Sequence, residues 1–375
     1  MDIQTQPSLP TSCETPFVNL DVGQTKQEKP PEPNEFPVLD FSLFDKPGGL
    51  QQLANKAQTA FQTTSFFYIT NFGLDEAEVK EQFRLGKEIL ELPSDIKQRY
   101  LANLADADYN GWRPAGAIEQ FPGLRDNWEA YHIYKDNSQN QRTHPPQVLD
   151  NKEMIYRFHR HCHENIGFKM FRIIETILEI PEGTLVDPHK YDTNCSSFLR
   201  YGKYHPRTAE TNEKFNNMYV KDHTDFGSLT FLFSNPISGL QVRVPDGSWK
   251  DIPHIPGSLL VITADILQFW TYGYMRSTVH RVLAPSSEQQ GMKRYNLIYF
   301  MRPADRALLN SIRSPLLERL GFNDKNESEE LVQRRSSSVQ DWILKQTSKN
   351  WVPASDQRET ESEIDALFKS KNADL

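Results

Sequence analysis

Between residues 196 and 301 the chain is a succession of short apolar runs: Phe198–Tyr201 (FLRY), Ser228–Phe233 (SLTFLF), Leu240–Val244 (LQVRV), Ser258–Thr263 (SLLVIT) and Tyr295–Phe300 (YNLIYF). Glycine, proline and asparagine punctuate them. Residues of this kind suit a pleated surface, and many short strands at close spacing predict a sandwich or small barrel.

The first half reads differently. Residues 1–35 are rich in proline, threonine, glutamine and glutamate and lack periodicity, which predicts a disordered or extended tail. Phe36–Phe41 is strand-like. Leu50, Leu53, Ala54, Ala57, Ala60 and Phe61 recur at helical spacing. Ser65–Thr70 is a second strand, closed by the turn-like Asn71-Phe72-Gly73. A helix is expected from Asp75, its N-cap, to about Glu91, with Pro93 beyond its end. Residues 101–150 predict irregular structure with short strands. A long helix over about 151–180 would bury Ile166, Met170, Ile173, Ile174 and Ile177. The expected organisation is a tail (1–35), one domain over 36–320 (helical over 36–180, strand-rich over 196–303), and a helix with a charged tail over 321–375. That last helix, about 328–346, carries Leu331, Val339, Trp342 and Ile343. It either docks as plain structure, covers a pocket, or meets a second copy in a homo-oligomer.

Charge and composition exclude several classes. The chain has 42 basic and 50 acidic residues, a net charge of −8, and no basic arm or stripe, which argues against nucleic acid as a partner. No apolar run is long enough to span a bilayer. The first residues have neither the basic nor the apolar region of a secretory signal. Three scattered cysteines fit a reducing compartment and a cytoplasmic location.

Asp222-His223-Thr224-Asp225-Phe226-Gly227 is the chemical centre of the sequence. In a strand, His223 and Asp225 would face the same way. An imidazole and a carboxylate supply two metal ligands, and a second histidine would complete a facial triad that leaves positions open, the arrangement suited to non-heme Fe(II). One H-x-D among ten histidines is a weak signal. It gains weight from His280, inside the β-branched Ser277–Val282, and from Arg294, which opens an apolar strand. At a period of two, Arg294, Asn296, Ile298 and Phe300 share a face. An arginine facing an apolar interior needs an anion, either a structural carboxylate or a bound dicarboxylate held by its planar fork.

These residues resemble the plant and fungal 2-oxoglutarate/Fe(II) dioxygenases that share a fold with isopenicillin N synthase. The family's H-T-D-(F/Y)-G-S-(L/I)-T segment is matched by His223–Thr230, its S-T-x-H-R-V segment by Ser277–Val282, and its R-Y-S-(L/I) segment by Arg294–Leu297. Pro37–Asp40, Phe66–Ile69 with Asn71-Phe72-Gly73, and Leu92-Pro93 ahead of Lys97 are similar too, so the likeness runs over about residues 35–320. The spacing is most like the thymine-hydroxylase and secondary-metabolism branches. The resemblance implies a mainly β fold with flanking helices, a double-stranded β-helix or jelly roll. It implies Fe(II) on His223, Asp225 and His280, 2-oxoglutarate as cosubstrate and O2 as oxidant. A C–H bond of a small organic molecule would be hydroxylated, desaturated or drawn into a ring rearrangement, with release of succinate and CO2. The distal carboxylate of 2-oxoglutarate would rest on Arg294 and on Asn296, which stands where the family has serine. The family's tyrosine before Pro206 is His205 here, preceded by Tyr204, and either could contact the cosubstrate. Lys203 is an alternative cation. The rival readings are an Fe(II) oxidase that needs no 2-oxoglutarate and a jelly-roll binding protein without activity.

Other constellations are weaker. His159 and His163 share a helical face, but no glutamate lies between them, and a solvated polar face is expected. Trp112, Tyr131 and Ile133 read as core. The family often presents substrate-facing side chains in this W-E-x-Y strand, so Tyr131 becomes a candidate for substrate contact, as does Phe300 on the Arg294 face. Phe226, of opposite parity to the ligands, is expected in the core.

Overall fold

The computed structural model describes residues 36–136, 142–322 and 336–348. The expected amino-terminal tail, the charged end and Leu331 lie outside the described residues.

The strands are β1 (Val38–Asp40), β2 (Phe66–Thr70), β3 (Gly111–Arg113), β4 (Glu119–Phe121), β5 (Leu124–Arg125), β6 (Trp128–Tyr134) and β7 (Phe198–Tyr204). They continue with β8 (Met218–His223), β9 (Leu229–Phe233), β10 (Leu240–Arg243), β11 (Trp249–Asp251), β12 (Leu259–Thr263), β13 (His280–Leu283) and β14 (Arg294–Met301). A large sheet runs β1-β2-β12-β9-β14-β7-β6-β3, a small one runs β11-β10-β13-β8, and β4 and β5 form a separate hairpin. Only β1 and β2 pair parallel within the large sheet. The fold is the expected jelly roll with flanking helices.

Alternation along the strands sorts side chains between two cores. Phe66 and Tyr68 of β2 and Leu260 and Ile262 of β12 meet Leu240, Val242 and Val282 of the small sheet. Their neighbours Phe67, Ile69, Leu259 and Val261 face the helices, together with Leu297, Tyr299 and Met301 of β14. The large sheet is therefore covered on both faces, which is why its central strands are apolar at nearly every position.

Three helical segments cover its outer face. Helix Gly49–Thr63 buries Leu53, Ala54, Ala57, Ala60 and Phe61. Helix Glu76–Leu90 starts on a capping box in which Asp75 accepts from the Glu78 amide and Glu78 accepts from the Asp75 amide. The long helix expected over 151–180 is Lys152–Arg160, a π-helical segment His161–Gly167, and Phe168–Leu178. Its expected stripe is buried, from Ile166 to Ile177.

The expectation of a solvated histidine face is overturned. His159 and His163 are fully buried. His163 bonds through Nδ1 to the Tyr299 hydroxyl at 2.7 Å and donates from Nε2 to the His189 carbonyl at 2.5 Å. The π-helical segment widens the turn here, and Gly167 lets it approach the sheet, since a Cβ there would lie 2.4 Å from Met301 Sδ. Neither the widened turn nor the contact across to β14 is visible in a 3.6-residue period.

The carboxy-terminal helix begins at Val339 and is described to Ser348. Val339, Trp342 and Ile343 are buried against the rest of the chain. These three residues of the expected stripe thus pack within the molecule, and Leu344 is 40% exposed.

Candidate metal centre

His223 and His280 are register partners on β8 and β13, with ring centroids 4.2 Å apart. Asp225 is not in a strand as expected. β8 ends at His223, and Asp225 sits in the turn toward β9, where its carbonyl accepts from the Asp265 amide at 3.0 Å. Its carboxylate nonetheless returns to the histidines. One ligand atom from each of the three residues lies within 4.8 Å of the others, the only such group among the described residues.

The ring orientations leave the right atoms free. Nδ1 of His223 donates to the Lys221 carbonyl at 2.9 Å, and Nδ1 of His280 donates to the Thr278 carbonyl at 3.0 Å. A carbonyl can only accept, so each Nδ1 carries the proton and each Nε2 presents a lone pair. Asp225 Oδ2 accepts from Thr230 Oγ1 at 2.7 Å, a bond that fixes the carboxylate while the other oxygen stays open. Loss of hydration and the neighbouring His280 push His223 down to about 4, although part of the residue is exposed at the rim. Burial pulls Asp225 upward, but His280, His223, the Thr230 bond and Arg200 outweigh it and hold the carboxyl below its ordinary value. Two imidazole nitrogens and one carboxylate oxygen fit a divalent cation of intermediate hardness.

The large sheet faces this group. Arg294, Asn296, Ile298 and Phe300 line the same small cavity as the triad, as their shared parity requires. Arg294 is buried, donates from Nε to the Ile237 carbonyl at 3.2 Å, and makes no ion pair with any carboxylate among the described residues. The structural-carboxylate explanation for this arginine therefore fails. Asn296 Oδ1 is buried without a hydrogen-bond partner. Its space is made by Gly202, the register partner on β7, where a Cβ would lie 2.4 Å from that oxygen.

Tyr204 and His205 part company. Tyr204 shares the inward parity of β7 and lines the cavity, with the Arg294 guanidinium 5.5 Å from its ring. His205 turns away to Glu129 Oε1 at 3.0 Å. Lys203 faces the helices too, donating to Glu129 at 2.5 Å and to the Leu90 carbonyl at 2.7 Å. It cannot serve as the alternative cation. Burial raises Glu129, but His205, Lys203 and Lys97 hold it well below the usual carboxylate range.

Tyr131 is also corrected. It pairs with Tyr201 on the helix-facing side of β6, is buried in the core, and meets His144 Nδ1 through its hydroxyl at 2.8 Å. The inward side chain of β6 is its neighbour His132. Trp112 and Ile133 are core, as expected. Phe300 does line the cavity, stacked on Phe198 with centroids 4.6 Å apart. Phe226 packs against Trp342 of the carboxy-terminal helix at 5.5 Å. Arg200, inward on β7, is a cavity residue that sequence reasoning passed over. Its position inside FLRY, with the parity of Tyr204, was the available signal.

The metal-side cavity is narrow, about 50 Å³. A larger one of about 780 Å³ lies between helix Glu76–Leu90 and the loops around Pro236, Pro256 and Met292, and it contains none of the triad. Size alone would select it, but the convergent ligand atoms lie in the narrow one.

Residues 193–303 match the model of the 2OG-Fe(II) oxygenase superfamily, and residues 36–152 match that of the non-haem dioxygenase in morphine synthesis N-terminal region. The chain is 28% identical over 300 residues to the 2-oxoglutarate-dependent dioxygenase gloF of Glarea lozoyensis, covering 73% of this chain and 89% of that one. It is 25% identical over 336 residues to a 1-aminocyclopropane-1-carboxylate oxidase of Dictyostelium discoideum, covering 78% and 88%. In fold it is similar to a full-length Neurospora crassa protein crystallised in complex with alpha-KG, with a TM-score of 0.71, 22% identity, and coverage of 84% of this chain and 96% of that one. Family models on both the helical and the strand-rich halves, together with this shared fold, lead to one assignment: the chain belongs to the 2OG-Fe(II) oxygenase superfamily.

Proposed function

We propose that His223, Asp225 and His280 hold the Fe(II) of a 2-oxoglutarate-dependent dioxygenase that oxidises a C–H bond of a small organic substrate, in secondary metabolism. The observation that supports this most is one of pairing: two imidazole Nε2 atoms and a carboxylate converge opposite a buried arginine that has no carboxylate partner. Fe(II), when bound with 2-oxoglutarate and O2, supplies the oxidising power, and the cosubstrate leaves as succinate and CO2.

The chain's own residues bind and orient. Arg294 offers its guanidinium to the distal carboxylate of 2-oxoglutarate, and burial, which disfavours an unpaired charge, makes that contact strong. The Asn296 amide and the Tyr204 hydroxyl flank the same position. Thr230 keeps Asp225 oriented. Ile298, Leu232 and Phe300 give the cavity its apolar walls and exclude water. Cys162 and Cys195 are buried free thiols, which suits a reducing location such as the cytoplasm. No helix among the described residues is long and apolar enough to cross a membrane.

The test is a substrate screen read by succinate release, with product mass by spectrometry. His223→Ala and Asp225→Ala should abolish turnover and weaken Fe(II) or Mn(II) binding at least ~100-fold, on the scale of losing one of three ligands. Full turnover by either variant in metal-titrated assays would sink the ligand assignment. The oxidase reading, favoured by the Dictyostelium likeness, predicts turnover with no succinate.

A further inference from the structure

Arg200 is a second cation in the metal-side cavity, and nothing in the mechanism above uses it. It projects inward from β7, two residues before Gly202, and lines the cavity with the triad. Its Nε donates to His132 Nε2 at 3.0 Å, so His132 is neutral and its proton sits on Nδ1. His132 is fully buried and brings no negative charge. Among the described residues Arg200 forms no ion pair, and its terminal nitrogens have no hydrogen-bond acceptor. The nearby Arg113 is already neutralised by Asp126. The guanidinium carbon lies 4.3 Å from the Phe300 ring centroid, 5.2 Å from that of Trp128 and 5.6 Å from that of Phe198, so the partly exposed fork is held among aromatic faces that attract a cation but carry no negative charge. Burial pulls this arginine down to about 10, and the Asp225 charge offsets only part of that.

Charge balance says what the fork lacks. Asp225 is the cavity's carboxylate, and it belongs to the metal. Fe(II) with Asp225 leaves one positive charge. The 2-oxoglutarate dianion turns this to one negative charge, and Arg294 restores neutrality. Arg200 then stands uncompensated, in surroundings where an unpaired charge is costly. A ligand carrying one negative charge would close the balance. A carboxylate matches the two free terminal nitrogens of a planar fork.

We propose that the substrate carries a carboxylate, that Arg200 binds it, and that this contact aims the substrate's apolar C–H portion past Phe300 and Ile298 toward the centre held by His223, Asp225 and His280. This rests on the function proposed above and adds the substrate's chemical class to it. Arg200 is a specificity determinant: it selects acids over their neutral analogues and fixes which carbon is presented.

The test uses the Mn(II)-loaded, 2-oxoglutarate-saturated protein, with benzoate and benzamide as a paired probe and formate as a probe small enough for any pocket shape. Binding is read by calorimetry and by thermal shift. Benzoate should bind at least ~10-fold tighter than benzamide, the scale of one charge-assisted hydrogen-bonded pair. Arg200→Gln should bring the two within ~2-fold, whereas Arg200→Lys should keep a reduced preference, since charge remains and the fork is lost. Without ligand, Arg200→Gln should melt at a higher temperature than the parent protein, because an uncompensated, largely dehydrated charge is removed. Equal binding of acid and amide, an acid preference that survives Arg200→Gln, or no binding of either benzoate or formate would each overturn the proposal. Titration of 2-oxoglutarate separates the two readings. Normal 2-oxoglutarate binding without an acid preference defeats the Arg200 assignment alone. An Arg200-dependent acid preference in Mn(II)-loaded protein that fails to bind 2-oxoglutarate defeats the cosubstrate reading alone.

Discussion

Residue by residue, the centre depends on which atoms are already occupied. The Nδ1 atoms of His223 and His280 are each taken by the carbonyl two residues earlier in the chain, and this local bond selects Nε2 for a metal. Among the described residues the Arg294 side chain donates to one backbone carbonyl and meets no acid, so its fork is available. Arg294→Lys keeps the charge but loses the planar fork. It should raise the apparent KM for 2-oxoglutarate about 10-fold or more, the scale of one lost charged hydrogen bond. Asn296→Ala removes a neutral partner and should raise it only about 2- to 5-fold, toward the low end for a neutral bond. Steady-state succinate release against 2-oxoglutarate concentration measures both. An unchanged KM in Arg294→Lys would refute the assignment and turn attention to Arg200, the cavity's other cation, because Lys203 is committed to Glu129 and the Leu90 carbonyl.

Among the elements, the carboxy-terminal helix is the one whose role was open between docking and covering. Trp342 bridges the two: its ring stands 5.5 Å from Phe226, the residue after Asp225, and 5.3 Å from Phe269. Near the helix end, Thr347 shares a 2.9 Å hydrogen bond with the Tyr109 hydroxyl, and Tyr109 stacks on the cavity-side Phe198 at 5.6 Å. The helix thus touches both the metal turn and the aromatic wall, while none of its residues lines the cavity, so docking and covering are separated by experiment. Trp342→Ala removes a buried indole, a change that typically costs about 3–5 kcal/mol and would loosen this short helix before the rest of the fold. The variant should still bind metal and 2-oxoglutarate, and its ratio of succinate released to substrate oxidised should rise at least ~3-fold as water enters the cavity. A normal ratio would leave the helix as structure only. The π-helical segment His161–Gly167 has a different task. It packs His163 against Tyr299 of β14, and His189 in turn bonds Ser228 at 2.9 Å, just beyond the metal turn.

At the scale of the whole molecule, these histidines couple stability to pH. Burial pushes His163 down to about 4 and His189 to about 3, and holds His159 and His132 well below the ordinary value. Around His163 stand the Tyr299 hydroxyl, the His189 carbonyl, Lys135 and Arg160, none of which favours an added proton enough to offset burial. Unfolded histidines titrate near 6.5. Above that pH both states are neutral and the full stability is present. Below it the unfolded chain takes up protons that the folded chain refuses, so stability falls by about 1.4 kcal/mol per pH unit for each such histidine, down to its folded value. Denaturant melts from pH 8 to pH 4.5 should show a plateau above about 6.5 and a steep decline below it. A flat profile between pH 6.5 and pH 5 would contradict burial of these rings in the neutral form.

What the sequence alone determined is what short range dictates. Period-two alternation assigned Arg294, Asn296, Ile298 and Phe300 to one face, and the H-x-D segment and His280 carried their donor chemistry with them. The capping box at Asp75 and the stripe from Ile166 to Ile177 were equally local. Parity, however, says only that neighbours oppose each other, not which face is inward. That choice belongs to strand pairing: β6 and β7 align so that His132 and Arg200 turn to the metal while Tyr131 and Tyr201 turn to the helices. The same register sends Tyr204 inward and His205 to Glu129. Burial of His159 and His163 needed β14 to arrive from more than a hundred residues away. The unpaired charge on Arg200 is visible only once every other acid near it is seen to be engaged, which is a property of the assembled cavity and of no segment within it.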